Sequence, residues 1–358
     1  MKRGRGLVFR GAGQPLEVEE FPVPEPRGAE VLVAVSACTL CGSDLHTLRG
    51  RRLEPVPTIL GHEILGRVAA LGPEAPSRDA AGRPLRIGDR VTWGLVASCG
   101  QCFFCDRSLP QKCVRRLKYG HEPLRHGCEL TGGLADFCLL QPGTAIFRVP
   151  EPIDDETACP ANCATATVAA ALELAGPLAE QTVLVMGTGM LGVTAVAWAR
   201  SLGAAVVACD QDADRRFLAQ GFGAVLAEPP ESLSSAVEQL TGVRGVDVAL
   251  ELTGAPEAFE GLFSQVRVGG IVVLVGSTYP SRPAAIELEQ IVRRCLTLRG
   301  IHNYAPAHLQ AALAFLAEHP ELPWASLVAG WRSLDEVEAM VAQGLPPGRL
   351  RLGVRPGG

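Results

Sequence analysis

The stretch QTVLVMGTGMLGVTAVAWA, residues 181 to 199, decides how the chain is read. It is uncharged throughout and nearly long enough to span a bilayer. Three glycines in a G-x-G-x-x-G pattern, Gly187, Gly189 and Gly192, interrupt it after a strand-like run and open a helix-like one. That punctuation suits a strand, a turn and a buried helix rather than a membrane span. In such a unit the first glycine makes the tight turn and the second lets the backbone approach a pyrophosphate. The third packs helix on strand, and the helix N-terminus at Met190 and Leu191 faces the phosphates.

Working outward, VLVM (183–186), AVVAC (205–209), VDVALEL (246–252) and IVVLVG (271–276) read as strands alternating with helical stretches. The alternation predicts βαβ units and a parallel sheet. The second strand runs into DQDADRR, which sets Asp210 about 20 residues beyond the glycines, where a carboxylate accepts from adenosine ribose hydroxyls. An acid there repels a 2′-phosphate and favours NAD over NADP. Arg215 and Arg216, just beyond, are the residue type that holds a 2′-phosphate.

Before about residue 156 the pattern differs. EVLVAVSA (30–37), ILGRVAAL (64–71), DRVTWGLV (89–96) and LADFCLL (134–140) are short, β-rich and bounded by Gly, Pro and charge. The polar GPEAPSRDAAGRPLRIG (72–88) reads as a loop, and a helix is expected around 306–318, followed by the tail LRLGVRP. The 358 residues exceed one ordinary core, so two domains are expected. With 20% charged residues and a net charge of −5 spread along the chain, nothing suggests a nucleic-acid surface. The N-terminal MKRGRGLVFRGAG lacks the apolar run of a signal peptide, so a cytoplasmic protein with no membrane partner is expected.

Twelve cysteines in such a chain point to metal rather than to disulfides. Cys99, Cys102, Cys105 and Cys113 follow the spacing C-x2-C-x2-C-x7-C. Four thiolates close a tetrahedral zinc shell and leave no position for a substrate. CGSDLH (41–46) and GHE (61–63) supply a second set, Cys41 and His62, flanked by the acids Asp44 and Glu63. A catalytic zinc takes three protein ligands and keeps one position open.

Taken together and in chain order, CGSDLH, GHE, the Cys99–Cys113 run, GTGMLG and the acid of VVACD resemble the zinc-dependent medium-chain alcohol dehydrogenases over nearly the whole chain. The resemblance implies an α/β protein: a GroES-like β-rich catalytic domain (1–163, with a structural zinc lobe at about 97–115), a doubly wound Rossmann domain (164–301), and a C-terminal return to the catalytic domain (302–358). It implies two zinc ions per chain and NAD. Cys41 and His62 become catalytic zinc ligands, with Glu63 behind them or entering the shell. The third ligand falls in CPANCATATVAAAL (159–172), where family members with a cysteine carry a threonine four residues later. Cys163 with Thr167 fits that pattern; Cys159 followed by Cys163 does not. Thr167 then lies near the nicotinamide. Ser43 and His46 match the family's proton relay, a hydroxyl beside the metal that passes the substrate proton through the ribose to a histidine. Zinc lowers the alcohol's pKa, the relay takes its proton, and hydride passes to the nicotinamide. In the tail, Arg351, ahead of Arg349, matches an arginine that contacts the cofactor pyrophosphate. A homodimer or homotetramer is the family's assembly.

DAAGRPLRIGDRVTW, ASCGQCFFC, LPQKC and KYGHE further resemble dehydrogenases associated with phosphonate metabolism. An anionic substrate needs cations near the metal, and Arg115, Arg116, Lys118, His121 and Arg125, or His302 and Asn303, are the residues to examine. The readings that compete are a polyol or sugar-alcohol dehydrogenase and a catalytically silent zinc-binding protein of the same fold.

Overall fold

A computed structural model describes residues 2–357. The chain divides into two compact units, one formed by Met1–Ala166 with Asn303–Gly358 and the other by Thr167–His302.

The Thr167–His302 unit is built on a six-stranded parallel sheet. Its strands, in spatial order, are Leu226–Glu228, Ala205–Cys209, Thr182–Met186, Val246–Glu251, Val266–Leu274 and Thr297–Gly300. Numbered along the chain, that order is 3-2-1-4-5-6, the doubly wound dinucleotide-binding arrangement. Central strands of such a sheet are covered on both faces, which is why TVLVM is buried at every position. The suspected span at 181–199 is strand Thr182–Met186, a turn, and helix Met190–Ser201, most of whose residues are buried. Among the described residues no helix is long and apolar enough to cross a membrane.

The other unit is β-rich. Strands Val31–Leu40, Glu63–Leu71 and Arg90–Ala97 pair antiparallel in sequence, and the C-terminal strand Arg351–Val354 pairs with the end of the first, setting Leu352 opposite Leu40. That return places Arg351 in the same sheet as Glu63. LADFCLL contributes only Phe137–Leu140 as strand, because Leu134 and Ala135 pair locally with the N-terminal strand Arg3–Phe9 instead. The core holds Trp93, Tyr119 and Phe147 as its largest fully buried side chains. The Tyr119 hydroxyl donates to or accepts from Thr144 Oγ1 at 2.6 Å and accepts the Gln141 N–H at 2.8 Å, satisfying a buried polar group. This anchors the short strand Leu117–Lys118, which pairs with Ala97 and Val96. The helix expected around 306–318 runs Pro306–Glu318, and the polar stretch 72–88 contains neither helix nor strand.

Candidate active site

Three chain segments meet in the β-rich unit. Cys41 follows strand Val31–Leu40 and caps helix Gly42–Leu48; His62 immediately precedes strand Glu63–Leu71; Cys163 follows the 3-10 turn Cys159–Asn162. The pairing of Thr39 with Glu63 sets the first two side by side. The Cys41, His62 and Cys163 ligand atoms all lie within 4.8 Å of one another. The two sulfurs are 3.9 Å apart; two thiolates on one tetrahedral zinc stand about 3.8 Å apart, given Zn–S bonds of ~2.3 Å. The donor set is soft thiolate and imidazole, the chemistry zinc prefers. The residues fit the metal. Cys159 is fully buried and lies outside the group.

Asp44 fixes this geometry from both sides. One carboxylate oxygen accepts the Cys41 backbone N–H at 2.9 Å, and the other lies 3.1 Å from His62 Nδ1. A proton on Nδ1 leaves Nε2 as the ligating lone pair, the arrangement typical of zinc-bound histidines. Asn162 supplies the third tie, donating to the His62 and Trp93 carbonyls at 3.1 Å each and accepting from the Ile64 N–H at 3.3 Å. The Tyr304 hydroxyl donates to the Asn162 carbonyl, so the residue before Cys163 is held at both ends.

Behind the triad, Arg351 grips Glu63 bidentately, with both N–H···O distances 2.7 Å. Both residues are almost wholly buried. Thr39 Oγ1 donates to the same carboxylate at 2.6 Å, and Arg351 Nη2 lies 3.6 Å from Cys41 Sγ. The Glu63 carboxylate is therefore committed to Arg351 and Thr39. The Cys163 contact, then Arg351 and His62, holds the Cys41 thiol well below its usual range against the effect of burial. Its partner Cys163 is pushed well up. One ionised and one protonated sulfur is how two thiols share a proton at close range.

Ser43 Oγ lies 3.4 Å from His62 Nε2, beside the ligand triad. His46 sits one turn further along the same helix, half-buried; burial first, then Arg51 and Arg49, lower its pKa and favour the neutral ring.

The second thiol cluster lies apart in sequence, with Cys99, Cys102, Cys105 and Cys113 also within 4.8 Å of one another. Short 3-10 turns at Cys105–Arg107 and Pro110–Lys112 carry it, and the Cys99 and Arg115 N–H groups donate to Cys113 Sγ at 3.3 and 3.4 Å. Backbone N–H groups of Cys105 and Val114 pull Cys102 down to about 6. Such donors favour thiolate, the form that binds metal. None of the twelve cysteines forms a disulfide.

In the other unit the glycine fingerprint does three jobs. Gly187 has φ +92°, and a Cβ on Gly192 would stand 2.0 Å from the Gly187 carbonyl oxygen. A Cβ on Gly189 would meet nothing within 4 Å, so the start of helix Met190–Ser201 is open to a ligand. That cradle fits a pyrophosphate. Asp210 accepts from Thr188 N–H at 2.7 Å and Thr188 Oγ1 at 3.1 Å, and Arg215 Nη1 stands 4.0 Å from its carboxylate. Arg216 is spent on the Asp210 and Gln211 carbonyls. Thr167 begins this unit, in helix Ala164–Ala175.

The basic residues expected near an anion divide into two sets. The Arg115 backbone N–H and the Arg116 guanidinium bond to Cys113 in the thiol lobe, and Arg125 is largely exposed beside Glu122. His121 instead packs its ring 4.9 Å from that of His62, while burial, then Arg52, lowers Lys118 to about 8 against the pull of Glu54, Cys163 and Asp44. Along the chain, His302 ends one unit and Asn303, at φ +58°, resumes the other. Sequence reasoning gave Asn162, Thr39 and Tyr304 no role. Only the position of Asn162 beside Cys163 carried any signal.

Comparison with known proteins matches the chain to dehydrogenases. Residues 27–151 match the family model of the alcohol dehydrogenase GroES-like domain, and residues 191–318 that of the zinc-binding dehydrogenase. The chain is 31% identical over 318 residues to an alcohol dehydrogenase of Geobacillus stearothermophilus, covering 88% of this chain and 89% of the relative. It is 33% identical over 300 residues to an L-threonine 3-dehydrogenase of Pyrococcus horikoshii, covering 81% and 80%. A crystal structure of an alcohol dehydrogenase from Thermotoga maritima superposes with a TM-score of 0.92 at 28% identity, covering 99% of this chain and 100% of that one. A zinc-binding dehydrogenase from Sinorhizobium meliloti bound to NADP superposes with a TM-score of 0.86 at 26% identity, with the same coverage.

Proposed function

The chain belongs to the zinc-dependent medium-chain alcohol dehydrogenase family, and on that premise we propose that it reversibly oxidises an alcohol to an aldehyde or ketone with NAD. The observation that carries this reading is the Cys41–His62–Cys163 triad, three ligands with Ser43 beside them. Bound there, zinc supplies Lewis acidity to an alcohol or carbonyl oxygen, and a nicotinamide supplies the hydride acceptor.

The chain's own residues do the rest. Asp44 keeps the His62 ring oriented and its Nδ1 protonated. Ser43 Oγ takes the proton leaving the substrate hydroxyl and passes it toward His46, whose neutral ring is able to accept it. Glu63 and Arg351 neutralise each other behind Cys41, where an unpaired charge would be costly. Gly187, Gly189, Met190, Leu191 and Gly192 would hold the pyrophosphate. Asp210 would take the ribose hydroxyls, with Arg215 at the edge of that site, and its carboxylate supports NAD over NADP. Thr167 and Arg351 join them as cofactor contacts on the family resemblance alone.

The four-thiol lobe would hold the second zinc as a structural brace. A reducing cytoplasm suits the two thiol clusters, and a homodimer or homotetramer is the assembly proposed. The test is a panel of alcohols and aldehydes with NAD and with NADP, phosphonate-bearing and polyol substrates included. NAD reduction by at least one class of alcohol is expected; no turnover with either cofactor across the panel would support a silent zinc-binding protein instead.

A further inference from the structure

The G-x-G-x-x-G pattern asks nothing of the position between its first two glycines. This chain puts Thr188 there, fully buried, and the reaction above gives it no part. Its two donors converge on one atom. The backbone N–H and Oγ1 both donate to Asp210 Oδ2, at 2.7 and 3.1 Å.

The turn that carries Thr188 is wedged between the neighbouring strands. On one side Gly187 donates its N–H to the Cys209 carbonyl at 2.8 Å. On the other, a Cβ on Gly187 would stand 2.5 Å from Thr253 Cγ2. Thr253 is itself held, its N–H and Oγ1 donating to Glu251 Oε1 at 2.7 and 2.5 Å. The Asp210 main chain is fixed as well: its N–H donates to the Glu228 carbonyl at 3.2 Å, and its own carbonyl accepts from Arg216 at 2.9 Å. What remains to be set is the direction of the Asp210 carboxylate.

An ionised carboxylate has about four acceptor sites, two per oxygen. Thr188 fills both on Oδ2, and the Asp212 N–H, at 3.0 Å, takes one on Oδ1. The site left is on Oδ1, and it suits a donor such as a ribose hydroxyl. A 2′-phosphate dianion only accepts, and it meets a like charge there. Arg215 is the competing partner, with Nη1 4.0 Å from Oδ2. Without the Thr188 hydroxyl, Oδ2 is drawn toward that guanidinium and Oδ1 turns from its present direction.

Resting on the dehydrogenase reading of this cofactor site, we infer that Thr188 is a positioning residue for cofactor choice. Its hydroxyl holds Asp210 so that Oδ1 meets the adenosine ribose, and the preference for NAD depends on that hold.

The test uses the full-length, zinc-loaded protein. Calorimetry compares ADP-ribose with its 2′-phosphate, and alcohol oxidation is followed with NAD and with NADP. The wild type is expected to bind ADP-ribose more tightly than the 2′-phosphate. Thr188→Val keeps the side-chain shape and the backbone N–H but loses the hydroxyl. It should weaken ADP-ribose about tenfold, the lower end of what a hydrogen bond to a charged group is worth, and leave the 2′-phosphate unmoved. Thr188→Ser should restore the wild-type ratio. In an Asp210→Gly background Thr188→Val should change the ratio no further, because the two act through one carboxylate. Where Thr188→Val fails to fold, Thr188→Ala carries the same expectation. No wild-type preference, a ratio unmoved by loss of the hydroxyl, equal weakening of both ligands, no recovery with serine, or the same loss in the Asp210→Gly background would overturn the inference. The expected binding pattern in a protein that oxidises no alcohol with either cofactor would support the role of Thr188 while removing the dehydrogenase reading. NAD-linked turnover with the ratio unmoved would do the reverse.

Discussion

Asp44 shows how much a single side chain does here. It accepts the Cys41 N–H at the start of the helix that follows and orients the ring of His62, so it ties together two side chains of the candidate metal triad. Partners of this kind commonly contribute 10- to 100-fold in metal affinity or activity. Asp44→Asn should accordingly lower zinc affinity at the triad by about that factor, measured by competition with a chromophoric chelator; an unchanged affinity would mean His62 is oriented by packing alone. Cys163→Ala should retain one zinc by elemental analysis and lose activity while its circular dichroism stays native. Two zincs still bound would remove Cys163 from the ligand set. Asp210→Gly should shift the NADP-to-NAD ratio of kcat/KM upward by about tenfold or more, one charge repulsion at a 2′-phosphate; no shift would show that Asp210 does not face the ribose. Ligand-type residues were legible in the sequence because cysteine and histidine at these spacings have few other uses. Their supports were not: Glu63 and Arg351 are 288 residues apart, and only the pairing of the first and last strands of that sheet brings them together.

Among the elements, the loop at 72–88 is the most instructive. The polar Gly/Pro stretch reads as a loop and is one, and Asp79 organises it, accepting the Ala81, Arg83 and Arg148 N–H groups at 2.8–3.1 Å and the Arg83 guanidinium at 2.9 Å. Burial alone would raise its pKa; the Arg148 N–H and the Arg83 side chain outweigh it and hold the carboxyl below the ordinary aspartate value. Its contribution to stability is therefore full above the unfolded pKa and is lost as pH falls through the depressed folded value. Asp79→Asn should cost about 1–3 kcal/mol in urea unfolding at neutral pH, a deficit that shrinks toward zero in strong acid. A deficit independent of pH would place the effect in packing rather than charge. The strands at 205–209 and 246–252 and the helix at 306–318 were legible to within a residue because period and flanking signals agree. The strand Leu117–Lys118 was not, being two residues long and fixed by Tyr119 rather than by its own pattern.

For the molecule as a whole, a β-rich stretch followed by alternating strand and helix announced two folding units and a parallel sheet; the 3-2-1-4-5-6 order of that sheet came from the structure. Sequence separation hid the return of the chain's last strand to the first unit, which residue resemblance alone suggested. The central claim is that the Cys41–His62–Cys163 triad holds a working zinc and the four-thiol lobe a structural one. It is tested most directly by stripping the metal with a chelator, restoring zinc in measured equivalents, and following NAD-linked alcohol oxidation against zinc bound per chain. The account predicts two zinc ions per chain, with activity tracking occupancy of the triad and absent in Cys163→Ala however much zinc is added. Full activity with the triad empty, or in Cys163→Ala, would contradict it.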